Sequence, residues 1–391
     1  MMSYLMNTYS RQEIGFVKGE GAWLWDDQGK RYLDCVSGVA VANVGHAHPT
    51  VVNAICEQAK TVIHTSNLYR IFRQEELAER ICTLAGMDEV FFCNSGAEAN
   101  EAAIKLARLY GHKSGVENSH IIVMEKAWHG RTLATLSATG SRKAQAGFEP
   151  LMDGFVRVPF NDAAAVQQIA SRQSNVVAVL VEVLQGEAGV IMADMEYLRA
   201  LRKICDERQW LFMIDEVQCG VGRTGKWFGF QHAEVKPDVI TLAKGLGSGV
   251  PIGACLASGR ATGVFGPGNH GSTFGGGPLV CAASLATLQA IEEEKLLDKA
   301  TQTGEWIRSE LRAQLKGVSG VKEIRGLGMM MGIELDRTCG DIVKRALAQG
   351  LLINVTNEKV VRLLPPLIFT QAQAEQLVNT LAPIIKDFLA T

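Results

Sequence analysis

Two charged residues each end an apolar run in this chain. Trp210-Leu211-Phe212-Met213-Ile214 runs into Asp215, and Val239-Ile240-Thr241-Leu242-Ala243 runs into Lys244. Short apolar runs rich in β-branched residues read as buried parallel strands. Open α/β sheets place their chemistry at the carboxyl ends of such strands. An acid and a lysine at two of those ends fit pyridoxal phosphate, which needs a Schiff-base lysine and a carboxylate for its pyridinium N–H. In isolation, a strand-end Asp more often caps the turn that follows it, and a Lys before Gly more often faces solvent. Lys244 gains weight from Gly245, Gly247 and Gly249, which leave room for a planar ring. Gln218, three residues beyond Asp215, can reach the ring's phenolic oxygen.

Other residues suit the same ligand. Ser95-Gly96-Ala97-Glu98 has capping-box spacing at the start of a helical pattern. Backbone N–H groups there can cradle a phosphate, aided by the helix dipole, or the motif is an ordinary capped helix. Trp128 can stack on a pyridine face, and Arg131 can clamp a carboxylate with two parallel hydrogen bonds; alternatively they are a core Trp and a surface Arg. Ser272 and Thr273, in the glycine-rich stretch 271–277, can bind phosphate or belong to a linker. Arg362 interrupts an apolar strand pattern. It either points to solvent or serves as a second carboxylate clamp. The eight histidines show no metal-ligand spacing on a helix, and His46-x-His48 alone is a weak zinc signal, so no metal is expected.

The elements that must position these residues alternate. Strand patterns fall at 90–93, 120–124, 155–158, 176–184, 210–214 and 239–243, with helices between them, for example over 196–208. This predicts an α/β protein with a mostly parallel central sheet and helices on both faces. A hairpin is expected over 23–34, a helix over 49–64, and a long helix from Pro278. A smaller α+β unit follows, with strands at 321–325, 329–335, 352–355 and 360–364. The division expected is a large cofactor-binding domain over 51–289 and a small domain built from 1–50 and 290–391.

The 391 residues suffice for more than one domain. The net charge of −2 with both signs mixed leaves no basic stripe, so nucleic acid is not an expected partner. Nine cysteines without a CxxC pair read as reduced thiols. No apolar stretch approaches membrane-spanning length, and the first ten residues lack a cationic region followed by an apolar core. The expectation is a cytoplasmic protein.

Together these residues resemble the class III aminotransferases of the pyridoxal-phosphate superfamily, fold type I. The resemblance is carried in family order by Gly45-His46-Ala47-His48-Pro49, the NSGAEANEAAIKLAR segment from Asn94, Trp128-His129-Gly130-Arg131-Thr132, the DEVQ stretch from Asp215, the Lys244 segment and Gly271-Ser272-Thr273-Phe274-Gly275-Gly276. It covers essentially the whole chain. His64-Thr65-Ser66-Asn67-Leu68-Tyr69 and Gly38-Val39-Ala40-Val41 place it nearest the branch acting on N2-acetylornithine.

The resemblance implies Lys244 and Asp215 as catalytic residues, with Ser95, Gly96, Ala97, Trp128, Glu216, Val217 and Gln218 along the cofactor. Trp128 stands where Phe is commoner. Thr273 would reach the phosphate across a homodimer interface with shared active sites. Arg131 and Ser272 would contact substrate. Arg362 would bind the second carboxylate of a dicarboxylate, and Glu187 would be a gate that pairs with Arg362 when the amino donor lacks one. Val39, where ornithine-type relatives often carry Tyr, would leave room for an acylated α-amine. The activity implied is transfer of the δ-amino group of N2-acetyl-L-ornithine to 2-oxoglutarate. Succinylornithine, ornithine and 4-aminobutyrate are alternative donors. An aminomutase of the glutamate-1-semialdehyde type shares the lysine and aspartate but needs no pair of carboxylate clamps.

Overall fold

The apolar runs of the sequence assemble into one seven-stranded sheet. A computed structural model describes residues 4–390; residues 1–3 and 391, at the ends of the expected small domain, lie outside the described residues. The strands are β1 (Glu89–Cys93), β2 (His120–Met124), β3 (Phe155–Val158), β4 (Val176–Glu182), β5 (Leu211–Asp215), β6 (Val239–Leu242) and β7 (Gly253–Ala257). Their spatial order is β1-β7-β6-β5-β4-β2-β3. Every residue of β4 and β5 is buried. That explains why these strands read as continuous apolar runs, since helices cover both faces.

All pairs are parallel except those of β7, which runs antiparallel to both β1 and β6. Sequence reading missed this strand. Gly253-Ala254-Cys255-Leu256-Ala257 has no β-branched residue, so its local strand preference is weak and burial decides its conformation. Two of the shifted boundaries matter for the site. β5 extends to include Asp215. The run expected over 176–184 stops at Glu182, and Leu184–Gln185 turns away to pair with Ile191–Met192.

Helix α1 (Gly96–Lys113) lays Ala99, Ala102, Ala103, Leu106 and Ala107 against the sheet. Helix α2 (Met195–Arg208) occupies the expected span. Helix α3 (Pro278–Glu293) opens with Pro278 in the first turn, where its missing N–H leaves no hydrogen bond unmade. The helix expected over 49–64 ends at Thr61.

The hairpin expected over 23–34 pairs Trp23–Asp26 with Arg31–Asp34. Asp26 Oδ1 closes its turn, accepting from Gln28 N at 3.0 Å and Lys30 N at 2.8 Å. Leu351–Leu352 joins Arg31–Asp34 in parallel, tying the first fifty residues to the carboxyl-terminal part. A second, antiparallel sheet contains β8 (Val321–Leu327), β9 (Met330–Leu335), β10 (Asn354–Thr356) and β11 (Val360–Leu363), in the order β8-β9-β11-β10. The run expected as one strand over 352–355 therefore breaks at Ile353 and divides between two sheets. The break sets β10 beside β11, with Asn354 opposite Arg362. Among the described residues no helix is long and apolar enough to cross a membrane, and all nine cysteines are free.

Candidate active site

The carboxyl ends of β1, β2, β4, β5 and β6 meet the amino end of β7 around a cavity of about 620 Å³. Ser95, Gly96, Ala97, Trp128, Arg131, Asp215, Val217, Gln218 and Lys244 all line it. Nine residues singled out in the sequence are thus brought to one wall-to-wall space, although they span 150 positions of the chain.

Each is held by its element. Ser95 caps α1, its Oγ accepting from Glu98 N at 3.2 Å. Glu98 reaches back to Asn94 N at 2.5 Å rather than to the cap residue itself. The first-turn amides of Gly96 and Ala97 border the cavity. Gly96 has no room for a side chain, because a Cβ there would lie 2.6 Å from Val217 Cγ1. The helix end consequently sits directly against the residue that follows the Asp215 strand. Trp128 is half-buried, and the Arg131 guanidinium lies 4.8 Å from the centre of its ring.

Asp215 is 4% exposed and oriented on every side. Its Oδ2 accepts from Asn100 Nδ2 at 2.8 Å and lies 2.8 Å from His129 Nδ1. Its Oδ1 accepts from Val217 N at 3.0 Å and, more weakly, from Thr241 Oγ1 at 3.4 Å. Asn100 is fixed in turn by Thr241 Oγ1, which donates to its Oδ1 at 2.7 Å. Lys244 begins a short 3₁₀ turn over Lys244–Leu246. Burial lowers the pKa of its amine, with Glu187 opposing and the Arg362 charge reinforcing that shift.

Glu187 and Arg362 stand together beside the cavity. Arg362 Nη1 donates to Glu187 Oε1 at 2.5 Å and to Gln218 Oε1 at 3.3 Å, and its Nε donates to Asn354 Oδ1 at 3.2 Å. Of the two readings of Arg362, the solvent-facing one is excluded, because the residue is 2% exposed. Burial works to raise the Glu187 carboxyl, but the Arg362 guanidinium outweighs it and holds the carboxyl below its ordinary value.

Besides Glu187 and Arg362, three further expected residues lie apart from the cavity wall. The Glu216 carboxylate faces away, accepting from Gly229 N at 2.9 Å and Phe230 N at 2.7 Å. Ser272 Oγ accepts from Asn94 Nδ2 at 3.2 Å and Gly275 N at 2.9 Å, and Thr273 is exposed on the same loop. His46 and His48 are spent on Asp34 and Glu294, each at 2.8 Å, and no metal-holding cluster occurs among the described residues.

Sequence reasoning missed Asn100, His129, Thr241 and Glu182. The first three hold Asp215 from inside motifs already noted, Asn100 on α1, Thr241 on β6 and His129 in the loop after β2. Glu182 ends an apolar run as Asp215 does, and the two lie opposite each other on adjacent strands. The apolar pattern continues through it to Val183 and Leu184, so nothing local marks it as a strand end. Glu182 is 5% exposed, and its Oε1 accepts from Trp128 N at 2.9 Å. Burial and the neighbouring Asp215 charge push its carboxyl well above the ordinary value.

These residues fit pyridoxal phosphate. Helix-start amides closed against Val217 suit a phosphate. A carboxylate fixed by three donors and an imidazole suits a pyridinium N–H. A half-buried indole suits a ring face, and a desolvated amine suits an aldehyde.

Comparison with known proteins agrees. The model of the class-III aminotransferase family matches residues 5–385. The acetylornithine aminotransferase of Nitrosomonas europaea is 60% identical over 388 residues, covering 99% of each chain. Acetylornithine aminotransferase 1 of Bordetella bronchiseptica is 57% identical, covering 100% of this chain and 99% of its own. Among solved structures, the ornithine aminotransferase of Toxoplasma gondii ME49 matches with a TM-score of 0.95 at 32% identity, over 98% of this chain and 93% of that one. The acetylornithine aminotransferase of Elizabethkingia anophelis matches with a TM-score of 0.89 at 34% identity, over 98% and 97%. The fold is that of the pyridoxal-phosphate transferases of fold type I, and the chain belongs to the class-III aminotransferases.

Proposed function

We propose that this chain transfers the δ-amino group of N2-acetyl-L-ornithine to 2-oxoglutarate, giving N-acetyl-L-glutamate 5-semialdehyde and L-glutamate, in arginine biosynthesis. Pyridoxal phosphate is the cofactor. When bound, it supplies an aldehyde that takes up the amino group and an electron-poor ring that stabilises negative charge on the adjoining carbon.

The observation that carries the reading is the buried Arg362–Glu187 pair bonded to Gln218 of the cavity wall, with Arg131 exposed on the same cavity. Two guanidinium groups match the two carboxylates of glutamate and 2-oxoglutarate. N2-acetylornithine brings one carboxylate, and Arg362 would then be a buried charge without a partner. Such a charge is costly, and the Glu187 carboxylate removes the cost. The names of the relatives at 57% and 60% identity support the acetylated donor.

The chain's residues divide the work. Lys244 offers an amine whose lowered pKa suits taking and returning a proton at the substrate carbon. Asp215 holds the proton of the ring nitrogen, and Gln218 orients the phenolic oxygen. Gly96 and Ala97 amides hold phosphate, and Trp128 covers one ring face. Ser272 and Thr273 would complete the site of a second copy. An exposed apolar patch supports a homodimer, since Ile63, Leu68, Tyr69, Phe72 and Phe274 are 57–86% exposed. The patch is continuous with that loop, because Asn67 Nδ2 donates to Ser272 O and Gly275 O, both at 3.0 Å. The division into a large domain over 51–289 and a small one from both ends belongs to the same proposal. So does a cytoplasmic location, which the nine free thiols support.

The test is a spectral titration of the purified protein. N2-acetylornithine, ornithine and 4-aminobutyrate are added separately without an oxoacid while the visible cofactor band is followed. Loss of the band at low N2-acetylornithine, reversed by 2-oxoglutarate, is expected. A preference for another amine would replace the donor. Persistence of turnover in Lys244→Ala would sink the assignment of the lysine.

A further inference from the structure

Lys244 sits where a side-chain-bearing residue is disfavoured. Its φ is 43°, and that of Ser248 is 45°, both in the left-handed region. Such backbone persists only where the surroundings hold it. From inside, the turn is closed by Leu246 N donating to Ala243 O at 2.9 Å and Gly247 N to Lys244 O at 3.2 Å.

From outside, two consecutive residues of the amino-terminal part grip its ends. The Asn43 side chain lies against Gly245 so closely that a Cβ there would be 2.1 Å from Asn43 Nδ2. Val44 N donates to Ser248 Oγ at 3.1 Å. Asn43, 1% exposed, is itself anchored. Its Nδ2 donates to Val221 O at 2.7 Å, and its backbone oxygen accepts from Leu367 N at 2.7 Å. Its Oδ1 accepts from Arg223 Nη2 at 2.5 Å.

Arg223 is fully buried, and its hydrogen bonds go to uncharged oxygens, with the Asp34 charge acting on it only at a distance. Its Nη1 donates to Met329 O at 3.1 Å and to Pro365 O. A buried guanidinium spent on carbonyl and amide oxygens is an expensive fastening, so its placement calls for a reason beyond filling space. Pro365 and Leu367 follow the strand that bears Arg362. The line of bonds thus runs from the end of β11 through Arg223 to Asn43, whose side chain packs against the residue after Lys244.

We propose that Asn43, anchored by Arg223, is a positioning residue for Lys244, acting through the backbone of Gly245. The inference rests on Lys244 being the amine that takes the cofactor aldehyde. The full chain, freed of cofactor, is mixed with pyridoxal phosphate, and sodium borohydride fixes whatever has bonded to Lys244. The rate of capture against pH is read by peptide mass spectrometry. Affinity for pyridoxine 5′-phosphate, which has no aldehyde, is measured alongside.

Asn43→Ala slows capture about tenfold or more, as small misplacements of a reacting group do. It raises the pH midpoint of capture as the amine leaves its buried setting, and it leaves pyridoxine 5′-phosphate affinity within about twofold. Gly245→Ala, which leaves Asn43 in the sequence but drives a methyl into its side chain, does the same. Adding Asn43→Ala to Gly245→Ala restores capture, because the new methyl fills the vacated space. Wild-type capture rates in both single variants overturn the proposal. So does a parallel loss of capture and pyridoxine 5′-phosphate affinity in Asn43→Ala, which marks a general packing role. Should Asn43→Ala not fold, Gly245→Ala decides alone. If the unaltered chain captures nothing at Lys244, the lysine assignment itself has failed, a different result from unchanged variants.

Discussion

Glu187 and Arg362 meet at 2.5 Å across 175 positions of sequence, and they are unequally buried. The guanidinium side chain is 2% exposed and the carboxylate 32%. Glu187 reaches from the hairpin that leaves the main sheet at Leu184–Gln185, whereas Arg362 is fixed on an interior strand between β9 and β10. The acid has room to withdraw and the base does not. That asymmetry is what a gate for two kinds of substrate requires.

Arg362→Ala should therefore cost the glutamate half-reaction more than the N2-acetylornithine one. Glu187→Gln should do the reverse, since it leaves the buried guanidinium uncompensated whenever the second carboxylate is missing. Breaking a buried pair from one side is worth about 3 kcal/mol or more, so a loss of roughly 100-fold is expected in the affected half-reaction. Stopped-flow absorbance resolves the two half-reactions. Equal losses in both would reject the gate.

The Gly96 contact offers a second check. A Cβ at Gly96 would lie 2.6 Å from Val217 Cγ1 and 2.9 Å from its Cγ2. Gly96→Ala should push α1 away from the Asp215 strand and weaken cofactor binding about tenfold, with little change in global stability. Shortening the partner with Val217→Ala should recover much of the loss. Equilibrium dialysis of pyridoxal phosphate against the three variants measures it, and the absence of recovery would place the damage elsewhere.

Much of this site could be read from local pattern. Asp215 and Lys244 announce themselves because a charge ends an apolar run at the strand end that borders the cavity. Ser95 and Gly96 do so because helix starts have their own chemistry. What could not be read depends on contacts across the chain. Strand β7 is small-residue backbone that only a neighbour on each side makes into a strand. Glu182 looked like the interior of a longer run because nothing local marks where Leu184 turns away. The burial of Arg362 needs β10 beside it, and β10 exists only because the 352–355 run splits at Ile353. Glu216, adjacent to Asp215, was grouped with it by position, yet alternation along the chain turns its side chain to the other side.

Glu216 also shapes the response to pH. Burial pushes its carboxyl up from 4.5 to about 7, with the Asp215 charge adding to the rise and the Gly229 and Phe230 amides opposing it. A raised carboxyl binds its proton more tightly folded than unfolded. Its contribution is complete below about pH 4.5 and is lost as pH rises to about 7. The difference corresponds to about 3 kcal/mol. Unfolding midpoints between pH 4.5 and 7 should show this decline in the wild type and a shallower one in Glu216→Gln, and superimposable curves would contradict it.

Glu182 makes a sharper case because it lies in the cavity wall next to Asp215. Burial and the Asp215 charge push its carboxyl well above the ordinary carboxylate range, with the Trp128 amide and the Lys244 charge opposing. Glu182→Gln keeps an oxygen for Trp128 N without the charge that burial disfavours, so activity at neutral pH should change by no more than about twofold. Glu182→Ala removes that oxygen and leaves a backbone N–H unmatched under the indole, at a cost of about 1–3 kcal/mol in stability. The two variants separate charge from hydrogen bonding. As pH rises through the raised value, the wild type gains a second negative charge beside Asp215 and should lose activity, whereas Glu182→Gln has no proton there to lose. A large loss of activity in Glu182→Gln at neutral pH, or an alkaline limb of kcat left unchanged by the substitution, would contradict this role for the Glu182 proton.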